Sequence, residues 1–161
     1  TWQCGTIQLD FQMPLNFNLE YVDEHGEKQR PIMIHRVCFG SIERFIGIIT
    51  EHFAGKFPAW LAPVQVKVIP VSDKTLDYSE KVYAAIKASG VRCELDARNE
   101  KVGYKIREAQ QVERVPYMLV LGAKEAESGT VSVRNRDTGD TEEMSLDAFM
   151  SFISEKIKNR D

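Results

Sequence analysis

The sequence predicts an α/β chain in two parts. Residues 1–60 read as an antiparallel strand meander plus one helix, and residues 61–161 as a mixed-sheet, three-layer α/β/α domain. Three observations carry this. Polarity alternates strictly near the start, as a half-covered strand requires. The stretch Phe57-Pro58-Ala59-Trp60-Leu61-Ala62-Pro63 breaks the pattern. Beyond it, strand-like and helix-like periods take turns, the grammar of a sheet with helices on both faces.

In the first part, Ile7, Leu9 and Phe11 alternate with Thr6, Gln8 and Asp10. A turn over 14–18 leads to a short strand, 19–22, and Asp23-Glu24-His25-Gly26 is a second turn. Residues 31–37 form a third strand, with Pro31 tolerable at its first position. A helix follows Gly40-Ser41, its apolar positions Ile42, Phe45, Ile46, Ile49 and Phe53 sharing one face until Gly55 and Pro58 end it.

In the second part, 64–71 is a strand and Ser72 the N-cap of a helix closed by Gly90, with Tyr78, Val82, Ala85 and Ile86 inward. Residues 91–95 form a strand and 101–112 a helix with Val102, Ile106 and Ala109 inward. The unbroken apolar run 117–121 is a central strand covered on both faces. Residues 130–136 alternate again, a turn covers 137–139, and a last helix starts at Ser145 with Leu146, Phe149, Met150, Ile153 and Ile157 in register.

Composition narrows the function classes. The 161 residues are 43% hydrophobic and 28% charged, with net charge -3. That excludes disorder and a basic nucleic-acid-binding domain. A local basic patch survives around Arg98, Lys101, Lys105, Arg107 and Arg114. No apolar stretch reaches the roughly 18–20 residues that span a bilayer; Arg44 and Glu51 interrupt the best candidate. Three widely spaced cysteines, Cys4, Cys38 and Cys93, argue against a disulfide framework and for a reducing, cytoplasmic setting. The chain opens at Thr1, without an initiator Met, on what reads as mid-strand, so a longer parent polypeptide is expected.

Several residues are open to two readings. Cys4, Thr6, Gln8 and Asp10 share a parity, which makes either a wet sheet face or the floor of a polar-ligand site. His35 is either a satisfied strand histidine or a metal ligand in want of partners, because CxxC, HxH and HExxH are all absent. Arg44 points away from its helix's apolar stripe, either into solvent or onto a phosphate. Lys101, Lys105 and Glu108 share a helical face that reads as solvated. Asn99, Arg134 and Arg136 suit base or phosphate contacts.

The motifs then point to one family. Trp2-Gln3-Cys4-Gly5-Thr6-Ile7-Gln8-Leu9-Asp10-Phe11, Met33-Ile34-His35-Arg36 and Gly40-Ser41-Ile42-Glu43-Arg44-Phe45-Ile46-Gly47 strongly resemble the end of the catalytic core of threonyl-tRNA synthetases, the last resembling motif 3 of class II enzymes. Trp60-Leu61-Ala62-Pro63, the run Asp96 to Arg107, and Val115-Pro116-Tyr117-Met118-Leu119-Val120 resemble its anticodon-binding domain, a domain shared with histidyl, prolyl and glycyl relatives. The resemblance implies ATP-dependent activation of threonine and its transfer to tRNA-Thr by a homodimeric, cytoplasmic enzyme. It implies that Arg44 contacts ATP phosphates, with Mg accompanying the ATP, and that Gln3, Cys4, Thr6, Gln8 and Ser41 line the adenylate pocket. His35 corresponds to one of three protein ligands of a zinc ion that takes the amine and hydroxyl of threonine, rejecting valine. The other two ligands, and motifs 1 and 2, are not among these residues. Asn99, Lys101, Glu125 and Arg134 fall where the family contacts anticodon bases. The rival expectation is a non-catalytic, anticodon-like RNA-binding or accessory module; the joint presence of Gln3, Cys4, His35 and Arg44 disfavours it.

Overall fold

The computed structural model describes residues 2–161. It divides into two compact units, Thr1–Glu51 and His52–Asp161.

In the first unit the order is β1 (Thr6–Asp10), α1 (Gln12–Asn16), β2 (Tyr21–Val22), β3 (Lys28–Gln29), β4 (Met33–Val37) and α2 (Ile42–His52). The expected meander is corrected. β1 pairs antiparallel with β4, setting Gln8 opposite His35, while β2 pairs with β3 as a separate hairpin. The cause lies in two aspartates. Asp10 Oδ1 accepts from the N–H groups of Gln12 (2.8 Å) and Met13 (2.9 Å), so the expected turn begins a helical turn instead. Pro14 falls in that first turn, where its missing N–H costs nothing. Asp23 Oδ1 likewise accepts from His25 and Glu27, both at 2.9 Å, and closes the hairpin that makes β3. The apolar face of the β1–β4 pair is bare: Ile7, Leu9 and Ile34 are 70%, 61% and 63% exposed. No residue of α2 is buried.

The second unit runs β5 (Val66–Pro70), a 3-10 turn (Asp73–Thr75), α3 (Leu76–Ala88), β6 (Cys93–Leu95), α4 (Val102–Arg107), a π turn (Glu108–Val112), β7 (Tyr117–Leu121), α5 (Ala123–Ser128), β8 (Thr130–Asn135), β9 (Thr141–Ser145) and α6 (Leu146–Asn159). The sheet order is β6-β5-β7-β8-β9. β6, β5 and β7 are parallel, and β8 and β9 extend the sheet antiparallel, so it is mixed as expected. Ser72 precedes the 3-10 turn, with Thr75 Oγ1 donating to its carbonyl (2.9 Å), and the helix proper starts at Leu76. Ser145 caps α6 by accepting from Ala148 N–H at 3.2 Å. α5 and β9 were not anticipated. Neither carries an apolar run; Lys124 and Thr130 both reach Glu143, tying α5 and β8 to β9.

Alternate residues of β5 and β7 feed two cores. Val66, Val68, Leu119 and Leu121 join Val82 and Ile86 of α3 and Phe149 and Ile153 of α6. On the other face, Ile69 and Met118 meet Ala109, with Val102 and Ile106 of α4 beside them. Ala85, expected inward, is exposed; Ser79 is buried in its place and donates to Thr75 O at 2.8 Å.

The structural division at Glu51/His52 precedes the expected 60/61 boundary because the linker is anchored to the second unit. Ala59 is in the main core, and its carbonyl accepts from Gln65 Nε2 at 2.7 Å. Arg136 Nη1 donates to Phe57 O (3.0 Å) and Arg114 O (2.8 Å), while Arg92 Nη2 donates to Trp60 O (2.9 Å) and Ala62 O (2.8 Å). Phe149→Ala empties the largest fully buried side chain in this core. It should lower unfolding stability by about 3–5 kcal/mol, measured by urea denaturation.

Candidate functional site

Two regions collect the candidate residues. In the first unit a cleft of about 340 Å³ is lined by Gln3, Cys4 and Thr6, by Phe39, Gly40 and Ser41, and by Arg44, Phe45 and Ile48. The turn into α2 is pinned to the lead-in of β1 by Gly40 N–H donating to Cys4 O at 3.2 Å. Ser41 Oγ accepts from Arg44 N–H at 3.3 Å and caps the helix. The start of α2 thus sets Ser41 and the exposed Arg44 in the lining of the same cleft, with the N–H groups of Arg44 and Phe45 spent on Ser41. A helix N-terminus with an added fork of donors suits an anionic oxygen cluster. Phe39 and Phe45, with ring centroids 4.2 Å apart, give the cleft an apolar wall. Phe39 was not singled out in the sequence, and Phe45 only as a position of the helix's apolar stripe; their places on either side of the helix start were the available signal.

Gln8 and His35 lie elsewhere, in a more open cleft with Asp10. Parity puts Gln8 on the same sheet face as Thr6, but two residues along the strand is about 6.6 Å, enough to leave the first cleft. His35 Nε2 lies 3.3 Å from Asp10 Oδ2, close enough to pair yet without hydrogen-bond geometry. Asp10, which also accepts from two backbone N–H groups and faces His35, has its pKa lowered. Among the described residues no three His, Cys, Asp or Glu side chains are grouped to hold a metal ion. A zinc site takes three protein ligands, so the residues present do not fit one by themselves.

In the second unit, Asn99 and Lys101 follow β6, and Glu125 lies in the first turn of α5 after β7. Both loops leave the carboxyl ends of parallel strands, the edge where such sheets gather their ligand-binding loops. Asn99 lines a cleft of about 240 Å³ with Ser72, Asp73, Arg98, Glu100 and Lys105. Lys101, Glu125 and Arg134 lie outside it. Lys101 is exposed and precedes α4. Glu125 is engaged locally, its Oε2 accepting from Gly122 N–H at 2.8 Å. Arg134 sits on β8 opposite Met118 and Thr141, on the sheet face that carries α4. Its Nε is enclosed without a hydrogen-bond partner among the described residues. Its guanidinium packs against Gly139, where an added Cβ would sit 3.4 Å from Nη2 and φ is +72°. Arg136, in contrast, is spent on structure, as its linker bonds show.

The reading of Lys105 as solvated is corrected. It is 4% exposed, and its Nζ donates to Asp96 O at 3.0 Å. Asp96 and Arg98 form a bidentate pair that the sequence did not single out. Asp96 and Asp137 are both held below the usual aspartate range, by hydrogen bonds from Arg98 and Arg136 respectively, against desolvation. Groups with a lowered folded-state pKa stabilise the fold fully above the unfolded value of about 3.9, and that contribution disappears as pH falls through the folded values. Urea midpoints across an acid series should therefore hold steady down to about pH 4 and fall below it, and Asp96→Asn should flatten part of that acid limb.

Residues 65–156 match the family described as anticodon binding domain, and residues 1–53 the tRNA synthetase class II core domain (G, H, P, S and T). Threonine–tRNA ligase of Acetivibrio thermocellus is 62% identical over 161 residues, covering 100% of this chain and 25% of that protein. The corresponding ligase of Caldanaerobacter subterraneus subsp. tengcongensis is 60% identical over 160 residues, covering 99% and 25%. The chain therefore spans about a quarter of the length of these curated relatives. Among solved structures, the RNA binding domain of threonyl-tRNA synthetase from Cryptosporidium parvum Iowa II superposes with a TM-score of 0.84 at 41% identity, over 96% of this chain and 39% of that one. With more than half of its length matched, the chain belongs to the anticodon binding domain family, preceded by a segment that matches the tRNA synthetase class II core domain.

Proposed function

We propose that the chain is the part of a threonine–tRNA ligase that closes its catalytic core and reads its anticodon. The observation that carries this is identity of about 60% to threonine–tRNA ligases along the whole chain, through both units. In this reading residues 1–60 are the end of the core and 61–161 the anticodon-binding domain. The complete enzyme activates threonine with ATP, accompanied by Mg, and transfers it to tRNA-Thr. Arg44 and the N-terminus of α2 hold phosphate oxygens, and Gln3, Cys4, Thr6 and Ser41 orient the nucleotide end of the substrate. Gln8 and His35 act from the neighbouring cleft, where His35 awaits two zinc ligands from the rest of the polypeptide. The bare apolar face of β1 and β4 packs against that remainder.

In the second unit Asn99, Lys101, Glu125 and Arg134 contact anticodon bases. The unpartnered Nε and planar fork of Arg134 suit a base edge or a base face, which lysine does not reproduce. No helix among the described residues is long and apolar enough to cross a membrane. Three free cysteines support a reducing, cytoplasmic setting, and a homodimer belongs to the same proposal.

In the complete enzyme, Arg134→Ala should weaken tRNA-Thr binding by about 1–3 kcal/mol and leave the fold intact. Anticodon-swapped tRNA serves as the control: equal weakening of both tRNAs would mean that Arg134 supplies charge without reading sequence. The 161-residue chain alone should show no threonine-dependent ATP–pyrophosphate exchange, because motif 2 and two zinc ligands are not in it. Exchange above background would overturn the assignment of those roles to the rest of the enzyme.

A further inference from the structure

Asn99 stands at the apex of a tightly held loop. Its side chain is exposed and makes no hydrogen bond among the described residues. The residues on either side are fixed. Glu100 N–H donates to Arg98 O at 2.9 Å, closing a turn around Asn99. Lys101 O accepts from the N–H groups of Tyr104 (2.8 Å) and Lys105 (3.1 Å), locking the loop's exit into α4. The entry is held by side chains. Arg98 Nε and Nη2 donate to Asp96 Oδ1 (2.8 Å) and Oδ2 (2.7 Å), and the same Nη2 reaches Glu108 beyond the end of α4. Asp96 is tied to the sheet by its N–H to Val68 O at 2.9 Å and to α4 by Lys105 Nζ. Its side chain is 2% exposed.

The charges of this cluster balance. Arg98 and Lys105 face Asp96 and Glu108, so the charge of Arg98 is matched by carboxylates that take its Nε and Nη2. The side chains the rest of the loop leaves free among the described residues are the Asn99 amide, the Glu100 carboxylate and the Lys101 ammonium. We propose that Asp96, Arg98 and Glu108 form a positioning clamp that sets the Asn99 amide for bidentate recognition of a nucleobase edge. The proposal rests on the reading of Asn99 as a base contact. Asn99 touches the RNA, and the clamp acts through it, by removing loop freedom that binding would otherwise have to freeze.

The test uses the full 161-residue chain and two hairpin RNAs, one carrying the threonine anticodon and one a swapped anticodon. Arg98→Lys keeps the charge and loses the fork; Glu108→Gln removes only the outer partner and leaves the buried Asp96 pair in place, should Arg98→Lys unfold the loop. Asn99→Ala should cut the preference for the cognate hairpin about tenfold. Arg98→Lys and Glu108→Gln should each reduce that preference with little change in thermal midpoint, and Arg98→Lys combined with Asn99→Ala should be no worse than Asn99→Ala alone. If Asn99→Ala lowers the preference but neither clamp variant does, or if Arg98→Lys and Asn99→Ala act additively, the clamp is overturned and the Asn99 reading stands. If the unaltered chain does not prefer the cognate hairpin, or Asn99→Ala leaves the preference unchanged, the Asn99 reading falls and the clamp with it.

Discussion

The second unit depends on the parallel pairing of β5 with β7, a pair of strands covered on both faces. Two-sided burial makes β7 a continuous apolar run and β5 one interrupted only by Lys67, and parallel pairing requires crossovers. α3 therefore packs on one face and α4 on the other, and the loops after β5, β6 and β7 collect at the carboxyl edge. That places Asn99 and Glu125 at the same edge of the sheet. β8 then returns antiparallel beside β7, which brings Arg134 opposite Met118, where the smaller core ends. An arginine there has apolar support on one side and no partner for its Nε among the described residues.

Polar groups drawn into this unit are matched rather than avoided. Lys67, on β5 and nearly buried, donates to Glu113 Oε1 at 2.6 Å and lies 3.5 Å from Glu94 across the ladder. Arg136 satisfies three carbonyls and Asp137. Unpaired, such groups would cost several kcal/mol each; paired, they specify which segments meet. Arg136 and Arg92 do so for the linker, turning residues 53–62 from a tether into part of the domain.

The first unit is built differently. Its strands form two-membered ladders, and its largest apolar side chains on β1 and β4 remain uncovered. Isolated two-stranded pairs are marginal in water. Its local geometry is nevertheless well specified, by Asp10 at α1, Asp23 in the hairpin and Ser41 at α2. Short-range capping thus shapes the cleft around Arg44 without a core beneath it.

The division between sequence and structure follows the range of the forces involved. Periodicity, caps and turn residues act within a few positions, so the sequence alone determined the apolar central run of β7, the capped start of α6 at Ser145, the outward direction of Arg44, and the motifs that named the family. Asp10 and Asp23 defeated the meander because one carboxylate oxygen serving two N–H groups outweighs a pattern of alternating polarity. β9 and α5 were invisible because elements rich in charge carry no apolar period; β9 is made by pairing with β8, and α5 starts on the short bond from Gly122 N–H to Glu125. Lys105 looked solvated because helical spacing reports which residues share a face, not what lies above that face. The separation of His35 and Gln8 from the Arg44 cleft, the anchoring of the linker by Arg136, and the clamp of Asp96, Arg98 and Glu108 were decided by tertiary structure alone. Each joins groups through space at distances and angles that no local pattern encodes.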